Sequence, residues 1–151
     1  MKHLILFFII IFGFLLIQFI PSIIMCTTDY IQPQAIINES TINNGGRGVF
    51  AIRNYKEGEI IEICPCVKTE TDKIDGKFRD YLFKFDDKMS LVGLGYCSMY
   101  NHSDSPNSHW SIVDEGKIKI TAEKNINKGE EIFVSYGDAY WTSRSKILTK
   151  N

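Results

Sequence analysis

From Leu4 to Met25 the chain is almost wholly apolar (LILFFIIIFGFLLIQFIPSIIM), broken only by Gly13, Gln18, Pro21 and Ser22. Composition changes abruptly at Thr27. About 20 apolar residues suffice to cross a bilayer core as a helix. The sequence therefore divides into a hydrophobic N-terminal segment, residues 1–28, and a polar remainder with its own core to build. A transmembrane helix or signal anchor over residues 4–25 is the first reading of the segment. A cleaved signal peptide is the second, because Ile24-Met25-Cys26 offers no small-residue cleavage pattern. Lys2 precedes the run and the next basic residue after it is Arg47, which leaves the N-terminus cytosolic by the positive-inside rule.

The remainder reads as short strands separated by turns. Val49-Phe50-Ala51, Glu59 to Ile63, Lys117 to Thr121 and Glu131 to Tyr136 are β-branched or aromatic and bounded by Gly, Asn or Lys-Gly-Glu turns. Asp80 to Phe85 is a further candidate strand, and Lys117 to Thr121 alternates as a half-buried strand should. Ala51–Ile61 (AIRNYKEGEII) is echoed by Ala122–Ile132 (AEKNINKGEEI), which predicts two equivalent turns, each joining a pair of strands. The fold class is mainly β. Lys and Arg number 17 against 18 Asp and Glu, a net charge of -1, which excludes a generic polyanion binder. Hydrophobic residues at 44% and charged residues at 23% exclude intrinsic disorder. The 4 cysteines, Cys26, Cys64, Cys66 and Cys97, are too few for a disulfide framework and are expected as free thiols. Cys64-Pro65-Cys66 is at most half a zinc site: no second close pair follows, and only His102 and His109 lie near, so no metal is expected.

Four segments carry chemistry only in combination. Gly45-Gly46-Arg47-Gly48 alone is a turn, His102 alone a core residue, Asn38-Glu39-Ser40 and Asn101-His102-Ser103 chance glycosylation sequons, and Tyr136 to Trp141 an aromatic cluster. In order they run Gly46-Arg47-Gly48-Val49-Phe50-Ala51, Tyr81-Leu82-Phe83, Tyr100-Asn101-His102-Ser103 with Pro106-Asn107, and Gly129-Glu130-Glu131-Ile132 leading to Ser135-Tyr136-Gly137-Asp138. This series resembles the SET domain of protein-lysine methyltransferases, over about Ala35 to Trp141, and is most similar to the small stand-alone SET proteins of large DNA viruses. Asp104 stands where many relatives have a zinc-binding cysteine, no cysteine follows Trp141, and Ser98 stands where larger relatives often have arginine.

The resemblance implies a β-clip of small sheets with a C-terminal pseudoknot, a SET domain over residues 32–137, and a segment 138–151 that closes the site without zinc. It implies S-adenosylmethionine bound by Gly46, Arg47, Gly48, Asn101, His102, Tyr136 and Trp141. Tyr136 and Tyr81 are the implied catalytic residues, and Tyr81, Val134 and Tyr140 the implied lysine channel. At pH 7.5 only roughly one lysine in a thousand is neutral, a handicap of about 4 kcal/mol. An apolar channel and a nearby sulfonium lower that pKa without a general base. Val134, in place of a larger aromatic residue, implies room for more than one methyl group.

The implied partner is a protein carrying a lysine, in the family's commonest case a histone tail. Sequence-specific nucleic-acid binding is not implied, and a homodimer and a membrane anchor stay open. The active domain is expected in the cytosol or nucleus, where the methyl donor is made. Translation from Met25 or a cytosol-facing anchor would reconcile that with the apolar segment. The rival readings are a catalytically inactive SET-fold binding module and a membrane-anchored structural protein.

Overall fold

A computed structural model describes residues 30–42 and 46–142; the apolar segment with its expected helix, Cys26, Gly45 and the chain beyond Thr142 lie outside them. Among the described residues no helix is long and apolar enough to cross a membrane. The strands are β1 (Ala35–Glu39), β2 (Arg47–Ala51), β3 (Ile60–Glu70), β4 (Leu82–Lys84), β5 (Met89–Gly93), β6 (Asn101–His102), β7 (Ser108–Asp114), β8 (Lys117–Ala122) and β9 (Glu131–Val134). They form two sheets, ordered β1-β2-β9-β6 and β4-β5-β3-β8-β7. Val49, Ile61, Leu91, Ile118, Ile120, Ile126 and Ile132 fill the core.

The expected strands at 49–51 and 117–121 are present, and the strand expected over 131–136 ends at Val134. On β8 the side chains of Ile118, Ile120 and Ala122 are buried while Lys117, Lys119 and Thr121 are not, as the alternation requires. Two further expectations are corrected. β3 does not stop at Ile63 but continues through Pro65 to Glu70, because it changes partner there: Ile60–Pro65 pairs with β8 and Cys66–Glu70 with β5. Proline is tolerated where one ladder ends and the next begins. Asp80 and Tyr81 belong to a 3₁₀ turn, Gly76–Tyr81, and only Leu82–Lys84 is strand.

The internal echo has a structural counterpart. Each copy carries the chain from one sheet to the other, β2 to β3 and β8 to β9. The two turns pair reciprocally: Tyr55 N donates to Ile126 O at 2.8 Å and Ile126 N to Tyr55 O at 2.9 Å. Gly58 N donates to Ala122 O and Gly129 N to Ala51 O, at 2.9 and 2.7 Å. Even the side chains match, since Asn125 Oδ1 caps Glu57 N and Asn54 Oδ1 caps Lys128 N. Gly58 and Gly129 have φ of 80° and 90°, a conformation that glycine adopts without penalty. The echo is thus a local two-fold clasp holding the two sheets together.

The least common feature lies at the other end of β9. β6 and β9 pair in parallel, Asn101 with Phe133 and His102 with Val134. Such a short parallel ladder is weak alone, and side chains from the start of β7 reinforce it. Asn107 accepts from Phe133 N and donates to Glu131 O, both at 2.8 Å. Ser108 Oγ donates to Phe133 O, and Trp110 Nε1 to Ser135 O. Asn107→Ala strands two backbone groups of β9 and should cost about 2 kcal/mol, measured as a lower denaturant midpoint at unchanged slope.

Candidate functional site

The parallel ladder delivers Tyr136 to the segment Tyr100–His102. The Tyr136 hydroxyl donates to Tyr100 O at 2.9 Å, and Tyr136 N donates to His102 Nδ1 at 3.1 Å. His102 Nε2 lies 3.1 Å from Asp104 Oδ1, so a backbone donor and a carboxylate fix the orientation of its ring. The Tyr136 ring sits among others: its centroid is 5.3 Å from that of His102, 4.6 Å from Tyr140 and 6.2 Å from Trp141. Trp141 also meets His102 edge-on at 5.0 Å. Residues 138–142 are helical, which puts Tyr140 and Trp141 on adjacent sides of Tyr136.

Tyr136 therefore has two neighbourhoods. On one side is a cavity of about 710 Å³, lined by Tyr81, Val134, Tyr136 and Tyr140, with Phe83, Tyr100 and Trp110. The three residues expected to form a lysine channel are brought together here. Val134 is buried and Tyr81 half exposed. On the other side are His102, Trp141 and, through Asn101, the Gly46–Gly48 turn.

That turn is built around a carboxylate that sequence reading missed. Glu131 is buried, and its side chain accepts from Ser40 Oγ at 2.8 Å, Thr41 N at 2.7 Å, Thr41 Oγ1 at 2.6 Å and Asn101 Nδ2 at 3.0 Å. Burial pushes its carboxyl pKa up, but the bonds from Thr41, Asn101 and Ser40 outweigh burial and hold it below the ordinary value. A Cβ on Gly48 would overlap the Glu131 carboxylate, so glycine is required there for close approach. At Gly46 the requirement is conformational, φ 66°, and a Cβ there would meet open space. The Asn101 amide also reaches Arg47 O and Ser40 Oγ, each at 3.0 Å. Asn101, expected as a direct cofactor contact, has its Nδ2 engaged within the protein, where it fixes the turn. The signal in the sequence was the second glutamate of Gly129-Glu130-Glu131, whose place on a buried strand face only the register reveals.

A second carboxylate lies on the cavity side. Glu62 of β3 is 1% exposed. It accepts from the Tyr100 hydroxyl at 2.9 Å and from Tyr96 N at 3.1 Å. Burial pushes its pKa up to about 7, against the lowering effect of those two bonds. Beside it, Cys64 and Cys97 form a disulfide with Cα atoms 6.4 Å apart, which corrects the expectation of free thiols for this pair. Their sequence separation of 33 hid a contact made by packing the 95–100 segment on β3. Cys66 is free, and burial pushes its thiol up to about 11. The Glu62 carboxylate and the two sulfurs lie within 4.8 Å of one another, but sulfurs bonded to each other are not thiolate ligands.

The raised Glu62 pKa fixes the sign of a pH effect. The folded state keeps a proton that the unfolded chain releases near the ordinary value of 4.5. The associated stability is therefore complete below that value and lost as pH rises through about 7. Over this window wild type should lose roughly 3 kcal/mol relative to Glu62→Gln, measured by urea unfolding of both proteins across the range.

Comparison with known proteins identifies the family and the fold. The SET-domain family model matches residues 46–137. A fission-yeast (Schizosaccharomyces pombe) histone-lysine N-methyltransferase specific for lysine 37 of histone H3 is 29% identical over 102 residues, 64% of this chain and 69% of that one. A crystal structure of a candidate histone methyltransferase from Plasmodium falciparum superposes with a TM-score of 0.64 at 38% identity, covering 74% of this chain and 99% of that one. A Chaetomium thermophilum Polycomb Repressive Complex 2 structure bound to S-adenosylmethionine superposes with a TM-score of 0.61 at 24% identity, and supports the fold alone; the match covers 80% of this chain and 17% of that chain.

Proposed function

The chain belongs to the SET-domain family, and we propose that it transfers methyl groups from S-adenosylmethionine to the side-chain amine of a lysine in a protein substrate. The single observation that carries the reading is the position of Tyr136. It lines the cavity with Tyr81, Val134 and Tyr140, and packs on its other side against His102 and Trp141. A residue between two compartments is what an in-line transfer from one bound molecule to another needs.

The residues on the His102 side fit the donor. The open space beside Gly46, the turn it opens through Arg47, the aromatic faces of Tyr136 and Trp141, and the fixed His102 ring would hold it. Aromatic faces attract a cation such as a sulfonium. When bound, S-adenosylmethionine supplies an electrophilic methyl group. The protein's own task is to strip water from the lysine, align its nitrogen and favour the neutral amine that has already lost its proton to solvent. Tyr81, Val134 and Tyr140 would set the amine against ring and methyl surface, which favours its neutral form, while Asp80 and Asp138 also line the cavity and would attract the incoming cation. Tyr81 is read as orienting the nitrogen. The Tyr136 hydrogen is committed to Tyr100 O, so its oxygen presents lone pairs. C–H···O contacts to that oxygen are individually weak but directional.

The domain is read as residues 32–137, with 138–142 closing the site through Tyr140 and Trp141. A zinc-free closure is supported by Asp104 at the usual cysteine position and by the Cys64–Cys97 disulfide. A histone tail is the proposed substrate, by analogy with the fission-yeast relative.

The test is methyl transfer from radiolabelled S-adenosylmethionine to core histones by the full chain. Tyr136→Phe should lower turnover by about two orders of magnitude while changing stability by no more than about 1.5 kcal/mol. A variant keeping half the wild-type rate would remove Tyr136 from the mechanism. Val134 is small and donates no hydrogen bond that would hold a crowding water, so mass spectrometry at exhaustive enzyme should show dimethyl- or trimethyl-lysine. Monomethyl product alone would contradict the role given to Val134.

A further inference from the structure

Tyr136 is oriented by a backbone carbonyl, and a backbone carbonyl is only as fixed as the segment that carries it. That segment, Gly95 to Tyr100, contains a single 3₁₀ turn, Cys97–Met99. It is held against β3 at both ends by one side chain. Glu62 Oε1 receives Tyr96 N at 3.1 Å, and Glu62 Oε2 receives the Tyr100 hydroxyl at 2.9 Å. Tyr100 in turn presents its carbonyl to the Tyr136 hydroxyl at 2.9 Å. An unbroken hydrogen-bonded path thus runs from a buried carboxylate on β3, along the Tyr100 side chain and backbone, to the phenol at the proposed site of methyl transfer.

We propose that Glu62 is a positioning residue for methyl transfer: by gripping Tyr96 and Tyr100 it holds the Tyr100 carbonyl where it takes the Tyr136 hydrogen, leaving the Tyr136 oxygen as an acceptor toward the cavity. The inference rests on the proposed function and extends it to a residue that touches neither substrate nor donor.

Three observations favour this role over simple core filling. A carboxylate on a buried strand face is costly, and an apolar residue would fill the space without that cost. Its two acceptor bonds go to one segment, the one that orients Tyr136. The segment also has an independent anchor in the Cys64–Cys97 disulfide, so removing the grip should alter orientation before it alters the fold.

The protonation state matters because both carboxylate oxygens accept. Adding a proton turns one of them into a donor, which opposes Tyr96 N–H or forces the Tyr100 hydroxyl to rotate. The groups facing Glu62 are Tyr96 and Tyr100 from the gripped segment, Tyr55 from the turn after β2, and Cys66, Cys64 and Cys97. Burial raises the pKa of Tyr55, Tyr100 and the Cys66 thiol and keeps them neutral at physiological pH, and the other two cysteines are bonded to each other. Glu62 is therefore the member of this cluster that changes charge near neutrality, where burial has moved its pKa to about 7.

The experiment compares wild type, Glu62→Gln and Tyr100→Phe as full chains. Methyl transfer is followed as a function of pH, and the Tyr136 ring by ¹³Cζ-tyrosine NMR. Both variants should stay folded and lose about tenfold in kcat at pH 8.5, with KM for S-adenosylmethionine within about twofold of wild type. The wild-type Tyr136 resonance should shift through a midpoint near 7. Glu62→Gln should remove the Glu62 part of that shift. A Glu62→Gln protein with wild-type kcat and an unchanged Tyr136 titration would overturn the role. If wild type transfers no methyl group the proposed function fails, and the NMR comparison still decides whether Glu62 governs Tyr136.

Discussion

Two residues of β6 lie parallel to two of β9, Asn101 beside Phe133 and His102 beside Val134, and the site exists because of that contact. The strands are more than 25 residues apart in sequence, and short parallel pairing contributes little by itself. Its stability comes from the Asn107, Ser108 and Trp110 side chains, which bond to the β9 backbone and the residue after it. Once β9 is seated, Ser135 and Tyr136 have nowhere to go but over His102. The helical residues 138–142 then set Tyr140 and Trp141 on adjacent sides of Tyr136.

Around this seam stand two buried carboxylates with opposite electrostatics. Glu131 gathers enough donors from Ser40, Thr41 and Asn101 to hold its charge against burial. Glu62 has only the Tyr100 hydroxyl and Tyr96 N, and burial prevails. The first shapes the Gly46–Gly48 turn, and so the compartment proposed for the donor. The second holds the segment that carries the Tyr100 carbonyl, on the cavity side. The difference is one of donor number, in keeping with the large cost of leaving a buried carboxylate without partners.

Much of this was legible in the chain. β8 follows from strict alternation, the paired turns from the echo of Ala51–Ile61 in Ala122–Ile132, and the grouping of Tyr81, Val134, Tyr136 and Tyr140 from a family resemblance. What was not legible has a common physical cause: it depends on register and threading, which local pattern does not encode. β3 passes Pro65 because its partner changes there. Cys64 finds Cys97, rather than Cys66, because a loop folds back on β3. Glu62 and Glu131 look like surface residues in a sequence where charged residues are common, and only pairing buries them. The resemblance likewise marked Asn101 without revealing that its Nδ2 is engaged by Ser40, Arg47 and Glu131.

The account stands or falls on the division of labour across Tyr136. Its most direct test is a crystal structure of the full chain with S-adenosylhomocysteine and a lysine-containing histone peptide. The account predicts the nucleoside against Gly46, Arg47, His102 and Trp141, with the lysine entering between Tyr81, Val134 and Tyr140 to meet it at the Tyr136 hydroxyl. A nucleoside seated in the Tyr81–Val134–Tyr140 cavity, or a lysine that reaches Tyr136 from the His102 side, would contradict it.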